Sequence, residues 1–444
     1  MLTAACALRT SGLHLPSITL FTLSNALAGD IVSFVTELRC VSCGKPWSLR
    51  VPYTCPACGV TGILDVQYDY RAIRRSLTRR ALARRADFSH WRYRELLPLS
   101  ARSVLPHLQV GWTPLSETVA LARHLGLRSL YIKDDGRNPS GSLKDRASSI
   151  AVVRAREKRN PIVACASTGN AASSLAGMAA AMGLRSVIFV PQRAPEPKIT
   201  QLLIFGATVF RVLGGYDDAF RLSQECCERF GWYNRNSAIN PYLVEGKKTV
   251  GFEIAEQLQW NVPDWVAMSV GDGCSIAGAW KAFRELKLLG LIERTPRMLG
   301  IQAAGAAPIT TAFRSGKPLW PVVPQTIADS IAVGVPRNWQ KAVFAIRESG
   351  GTMLNVADGE ILDAMRYTGQ LAGIFAEPAA ATAIAGLKRA VAEDIVPKRA
   401  RAVAVVTGSG LKDIRAAQTA VTAPFDVSPD GHELDQILHD RQLV

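Results

Sequence analysis

The sequence predicts an α/β protein with two parallel-sheet domains, preceded by a small metal-binding ribbon. Three observations predict it. Apolar strand-like runs alternate with alanine-rich helix-like runs from about residue 110 to 420, the pattern of a parallel sheet covered on both faces. Glycine- and serine-rich turns join several of these strands to the helices that follow. Near the amino terminus stand two Cys-x2-Cys pairs. At 444 residues the chain is long enough for both domains and the ribbon.

In chain order, residues 1–36 read as an extension. The stretch from Leu15 to Ala28 imitates a signal peptide, but only Arg9 precedes it as a charge, and a free-thiol ribbon follows. A disordered extension, or a start assigned too far upstream with the true one near Val32 or Val35, is expected instead of export. Residues 37–68 form the ribbon. Cys40 and Cys43 are separated from Cys55 and Cys58 by eleven residues, and four thiolates so spaced make a closed tetrahedral site for structural zinc. Cys6, Cys165, Cys226, Cys227 and Cys274 follow no ligand spacing, and Cys274 is the one expected to meet a thiol reagent. Residues 69–143 are a basic helical linker and the first part of a large domain. Residues 144–239 form a smaller α/β domain, 240–425 the remainder of the large one and 426–444 a tail.

Within this frame, Asn138-Pro139-Ser140-Gly141-Ser142-Leu143-Lys144-Asp145-Arg146 places one lysine where a turn becomes a helix. An amine aimed into a cleft there can form a Schiff base with pyridoxal phosphate, which stabilises carbanions beside an amino acid's α-carbon. Arg146 reads as the ion-pair partner of Asp145. Ser167-Thr168-Gly169-Asn170 follows the apolar run 162–165 and opens a small-residue helix. Its free amides suit an anion, and the Asn170 amide a phenolic oxygen or a carboxylate. Gly271-Asp272-Gly273-Cys274-Ser275 sits between a strand and a helix and suits a phosphate. Asp272 would be repelled by that anion and is expected to turn its side chain away. Thr407, ending a late strand, can offer its hydroxyl to a pyridine nitrogen.

The order of these segments resembles the pyridoxal-phosphate-dependent enzymes of the tryptophan synthase β-subunit type, and most closely the threonine synthase family. The resemblance runs from about Leu38 to about Leu387 and resumes at the Thr407 loop. Its distinctive stretches include Gly111-Trp112-Thr113-Pro114-Leu115, Glu245-Gly246-Lys247-Lys248-Thr249 and Ile374-Phe375-Ala376-Glu377-Pro378-Ala379, besides the segments above. It implies the fold type II architecture and a Schiff-base role for Lys144. Asn170 would bond the cofactor's 3-oxygen, residues Gly271 to Ser275 would hold its phosphate, and Thr407 would face its ring nitrogen. Ser167 and Thr168 would contact the substrate. The implied reaction turns O-phospho-L-homoserine and water into L-threonine and phosphate. The chain departs from the family pattern where an arginine commonly precedes the Glu245 motif: here the residues are Pro241 to Val244. Lys247, Lys248 and Ser142 are nominated for the substrate phosphate, a lysine acting as a point charge without the bidentate fork. An ammonia-lyase acting on threonine or serine, or a cysteate synthase-like β-replacement, needs no such pocket and stays open. Glu377, before Pro378, reads as the start of a helix.

The net charge of +15 is concentrated at Arg71, Arg74, Arg75, Arg79, Arg80, Arg84, Arg85, Arg92 and Arg94. Few aromatics interleave with them, so a solvated or subunit-contacting face is expected rather than a nucleic-acid surface. No apolar run is long enough to span a bilayer, and a cytoplasmic homodimer is expected.

Overall fold

The computed structural model describes residues 34–444 except 52, 168, 193 and 195. The expectations about residues 1–33 and about Thr168 fall outside that range. The ribbon is an antiparallel sheet of β1 (Val35–Cys40), β2 (Pro46–Trp47) and β3 (Leu64–Tyr68), in the order β2-β1-β3. Two short helices follow, α1 (Tyr70–Ser76) and α2 (Arg79–Ala83), each opened by a side-chain cap, from Asp69 and Thr78.

The next elements are β4 (Leu115–Glu117), α3 (Val119–Leu125) and β5 (Ser129–Asp134). The chain then leaves for a second sheet: α4 (Lys144–Glu157), β6 (Ile162–Ala166), α5 (Asn170–Ala181), β7 (Arg185–Pro191), α6 (Glu196–Ile204), β8 (Thr208–Val212), α7 (Tyr216–Phe230) and β9 (Tyr233–Asn234). That sheet is parallel, in the order β8-β7-β6-β9. The chain returns through α8 (Tyr242–Gln257), β10 (Trp265–Ser269), α9 (Cys274–Leu288), β11 (Arg297–Ala303), α10 (Pro308–Ser315), α11 (Trp339–Glu348) and β12 (Thr352–Val356). It ends with α12 (Asp358–Ala372), α13 (Pro378–Ala392), β13 (Arg401–Val406), α14 (Ile414–Gln418) and α15 (Leu434–Asp440). The larger sheet runs β12-β11-β10-β13-β5-β4. All its pairs are parallel except β4 with β5. The expectation of two parallel sheets thus holds but for this edge strand, three residues long, from which the chain returns into β5 through α3.

Alternating side chains of the parallel strands enter cores on both faces. Val266 and Met268 of β10 pack into one cluster, Trp265 and Ala267 into the other. The helix that matters most is α8, which lies between α4 and α9 and is buried along nearly its whole length. It carries charges into that burial. Glu253 accepts from Arg146 of α4 and pairs with Lys133 of β5, at 2.5–2.8 Å. Arg146 also pairs with Asp135 at 2.7 Å. These four groups have no exposed side-chain surface. The expected pairing of Arg146 with Asp145 is therefore corrected. Asp145 folds back on the turn before it, accepting from the Ser140 amide and hydroxyl, and Arg146 points to the opposite side of α4. The two cations and two anions compensate one another, so removing one leaves the rest unbalanced in a dry interior. Glu253→Gln is expected to destabilise the fold by about 3–5 kcal/mol, read as a lowered urea midpoint with the cofactor absent.

Candidate active site

Most of the sequence-derived residues sit at the ends of strands of the two sheets or on the first turns of the helices that follow them. Lys144 is the first residue of α4, and its approach is held by main chain: the Leu143 amide donates to Thr407 O at 2.9 Å and the Ser409 amide to Gly141 O at 2.9 Å. The same loop turns its other side to Glu377, whose amide donates to Gly408 O at 3.0 Å. Asn170, first residue of α5, donates its amide to both Glu377 carboxylate oxygens at 2.8 and 3.0 Å and to the Ser330 hydroxyl at 3.2 Å. Ser167 is partly exposed, and its hydroxyl accepts from the Gly169 amide at 3.1 Å. A cavity of about 600 Å³ opens beside Asn170 and Glu377, with Ser140, Ser173, Ser330 and Lys412 in its wall.

The Gly271–Ser275 turn closes the other end. Gly273 has φ +96°, and a Cβ there would lie 2.8 Å from the Asn338 carbonyl, so only glycine allows this approach. No side chain caps α9, which leaves its first amides for a ligand. Asp272 is turned away, as expected, accepting from the Arg337 amide at 2.8 Å and the Asn338 side chain at 2.6 Å. Burial raises its pKa. Lys247 of α8, with 1% of its surface exposed, reaches Cys274 Sγ at 2.7 Å. Cys274 is itself buried. Its expected role as the reagent-accessible thiol is corrected, because the Lys247 side chain covers the sulfur; Cys226 is the more open of the two.

The charges around Lys144 set its chemistry. Part of its surface is open, yet the protein packed around the amine lowers its pKa to about 8, burial contributing most and Lys247 next. Arg235 pushes the same way, while Cys274 and Glu377 oppose. Arg235 follows β9 directly and is 2% exposed. Its guanidinium donates to the Ser148 hydroxyl at 3.1 Å and the Ser237 hydroxyl at 3.0 Å. Burial raises the pKa of Glu377, against the Asn170 bond and the Lys144 charge.

A family model described as pyridoxal-phosphate dependent enzyme matches residues 107–408. The threonine synthase of Methanocaldococcus jannaschii is 41% identical over 406 residues, 90% of this chain and 99% of that protein. The threonine synthase of Mycobacterium tuberculosis is 38% identical, over 76% of this chain and 91% of that protein. The chain belongs to the threonine synthase family. Among solved structures, threonine deaminase isoform 2 from Solanum lycopersicum superposes with a TM-score of 0.61 at 24% identity, over 70% of this chain and 88% of that one. Maize serine racemase gives 0.59 at 20% identity, over 74% and 93%. These two likenesses establish the fold, that of the fold type II enzymes.

As a member of this family the chain is a pyridoxal-phosphate-dependent lyase, and the residues present fit the cofactor. An uncapped helix start suits its phosphate. The Ser142 hydroxyl is buried beside Lys144 without a hydrogen-bond partner, and so is one donor of the Asn236 amide. Buried polar groups left this way normally await a ligand or water. The ribbon fits zinc as well. The sulfurs of Cys40, Cys43, Cys55 and Cys58 all lie within 4.8 Å of one another. Two of the separations are 3.8 and 4.0 Å, close to the edge of a tetrahedron with Zn–S bonds of about 2.3 Å. Against the upward push of burial, the Cys58 and Ala57 amides draw the Cys55 thiol down to about 7.

One sequence expectation is corrected by position and two are extended. Lys248, nominated for the substrate phosphate, faces the other way, pairing with Glu245 at 2.6 Å and Glu285 at 2.9 Å under the ribbon. Adjacent helix positions point about 100° apart, so Lys247 and Lys248 cannot share a pocket. Glu377 does more than begin α13: its carboxylate meets Asn170. The basic linker is solvated, as expected, at Arg71, Arg74, Arg75, Arg79, Arg80 and Arg84, but not throughout. Arg92 is buried against Glu256 at 2.6 Å and Arg85 pairs with Glu95, while Arg74 and Arg79 donate to the Leu288 and Leu291 carbonyls. Arg235 was missed, although the polar run Asn234 to Ser237 directly after a strand is the signal that marks it. Among the described residues no helix is long and apolar enough to cross a membrane.

A neutral amine is what reacts. In the cofactor-free protein, labelling of Lys144 by an amine reagent should rise with a midpoint near pH 8, well below that of exposed lysines at about 10.4. Peptide mapping across pH checks this. Lys247→Met removes a repelling charge and should move the midpoint upward.

Proposed function

We propose that this chain converts O-phospho-L-homoserine and water into L-threonine and phosphate. What carries the reading is the match to threonine synthases along almost their entire length, together with a cationic wall facing Lys144. In the net change the C–O bond at Cγ breaks and phosphate leaves with its electron pair. Cγ gains a proton to become a methyl group, and the oxygen of water ends on Cβ. The bound cofactor supplies an electron sink at the substrate's Cα.

The residues divide this work. Lys144 would hold the cofactor and, as a free amine, would take the proton from the substrate's Cα and then serve Cβ. An amine with a pKa near 8 is neutral often enough to accept a proton and acidic enough to return it. Asn170 orients the cofactor's 3-oxygen, and the amides of Gly271, Asp272, Gly273, Cys274 and Ser275 receive its phosphate. Thr407 faces the ring nitrogen with a neutral hydroxyl. Ser167 and Thr168 would contact the substrate. The leaving phosphate is met by Lys247, with Ser142 and Arg235 beside it. Arg235 thus supplies, from the end of β9, the guanidinium that the Pro241–Val244 stretch lacks. Four cysteines clustered at metal-ligand spacing support a cytoplasmic chain, since such sites need the thiols reduced, and a homodimer belongs to the same proposal, to be checked by sedimentation.

Purified enzyme given O-phospho-L-homoserine should release threonine and phosphate in equal amounts, whereas L-threonine and L-serine should yield little 2-oxo acid. Oxo acid from threonine with phosphohomoserine inert would instead make it an ammonia-lyase. Lys247→Met and Arg235→Met should each lower kcat/KM for phosphohomoserine by roughly 10- to 150-fold, the worth of one charge-assisted contact. The cofactor's absorbance should persist in both variants.

A further inference from the structure

The ribbon is bound to the catalytic body by a buried charge network that no step of the reaction uses. β3 supplies it. Asp65 accepts from Lys281 of α9 and from Lys341 of α11, each at 3.1 Å. Lys281 also donates to Val66 O at 2.6 Å and to Glu245 of α8 at 2.8 Å, and Lys341 donates to Leu64 O at 2.7 Å. The Tyr68 hydroxyl donates to Glu245 at 2.8 Å. Lys248 joins Glu245 to Glu285 and lies 4.2 Å from the centre of the Tyr68 ring. Lys281 and Lys341 are less than one-tenth exposed and Glu245 is wholly buried.

The three helices gripped in this way are the three that shape the phosphate turn. Its amides belong to the start of α9. The Asn338 side chain, just ahead of α11, holds Asp272, and Gly273 packs on the Asn338 carbonyl. α8 extends Lys247 to Cys274. The cysteine site is tied to the same strand, because Cys40 pairs with Leu64 across β1 and β3 and the Cys55 amide donates to Gly62 O at 2.7 Å. A continuous path of main-chain pairs and buried ion pairs therefore joins the four sulfurs to the phosphate turn.

We propose that the ribbon metal and the cofactor are coupled through Asp65 and Glu245: the metal-ordered β3 positions α8, α9 and α11, and so tightens the phosphate turn. This rests on the reading above that the Gly271–Ser275 turn holds the cofactor phosphate. Coupling of two binding sites is reciprocal, so the cofactor must tighten the metal by the factor by which the metal tightens the cofactor.

The test measures pyridoxal phosphate affinity, by absorbance and quenching of tryptophan fluorescence, in zinc-loaded and chelator-stripped full-length protein. Zinc affinity is measured with a chromophoric chelator, with and without cofactor. Stripping should weaken the cofactor about 5- to 150-fold, the usual range of such coupling, and the zinc measurement should return the same factor. Asp65→Asn keeps all four cysteines and decides the matter even where the stripped chain unfolds. With zinc bound, it should weaken the cofactor about fivefold or more and shrink the coupling. Equal cofactor affinity in the loaded and stripped folded chains, or wild-type affinity in Asp65→Asn, would overturn the proposal. A zinc-loaded wild type that takes up no cofactor would overturn the site reading along with it.

Discussion

Everything in this molecule leans on the burial of α8. A helix that brings Glu245, Lys247, Lys248 and Glu253 into an interior of almost no exposure must find a partner for each, since an isolated buried charge is far too costly. Each partner fixes a different neighbour. Glu253 fixes Arg146 on α4, Glu245 and Lys248 fix α9 and the ribbon, and Lys247 is directed to the site. The helix can sit so close to both flanks because of two glycines. A Cβ at Gly246 would collide with the Arg146 carbonyl, and one at Gly251 would lie 2.8 Å from the Ala279 carbonyl. Close backbones and paired charges together fix how far Lys144, at the start of α4, stands from the first turn of α9.

That spacing makes the site an anion receptor before any ligand arrives. Lys144, Lys247 and Arg235 lie toward one side, with an uncapped helix start among them, and their mutual repulsion contributes to the lowered pKa of Lys144. Two anions are required, the cofactor's phosphate and the substrate's, so an excess of positive charge in the empty site is compensated in the working one. On the proposed reading the same cationic wall serves two ends, binding phosphate and making the lysine a usable base near neutral pH.

Much of this was legible in the sequence because it was local. A strand followed by a small-residue turn and a helix marks the β10–α9 and β6–α5 junctions, and both junctions stand where the sequence places them. Paired Cys-x2-Cys units announce a metal. The order of the segments named the family and with it the fold. What was not legible depended on which side of a helix meets which neighbour. Lys247 and Lys248 are adjacent in sequence and equal in chemistry, but one faces the site and the other the ribbon. Arg146 follows Asp145, yet its partners lie at Asp135 and Glu253. Arg235 stands in no motif and gains its meaning from β9 ending next to β6. Most of the basic linker is the surface its arginines suggest, but nothing in that run reveals the Glu256 of α8 that buries Arg92.

The Asn170–Glu377 pair shows how the empty site is held ready. An amide nitrogen carries two hydrogens, and Glu377 together with Ser330 already fixes the orientation of Asn170. A Cβ at Gly408 would strike the Glu377 carboxylate, so that carboxylate can occupy its place only beside a glycine in the Thr407 loop. Burial raises the pKa of Glu377 against the pull of the Asn170 bond and the Lys144 charge. What Glu377 contributes is position: its carboxyl holds Asn170 in place at the end of the site away from the Gly271–Ser275 turn. Had the carboxylate been placed on the phosphate turn, it would have cancelled the field that recruits both anions. Asp272 is the acid that does stand on that turn, and the backbone directs it outward to Arg337 and Asn338.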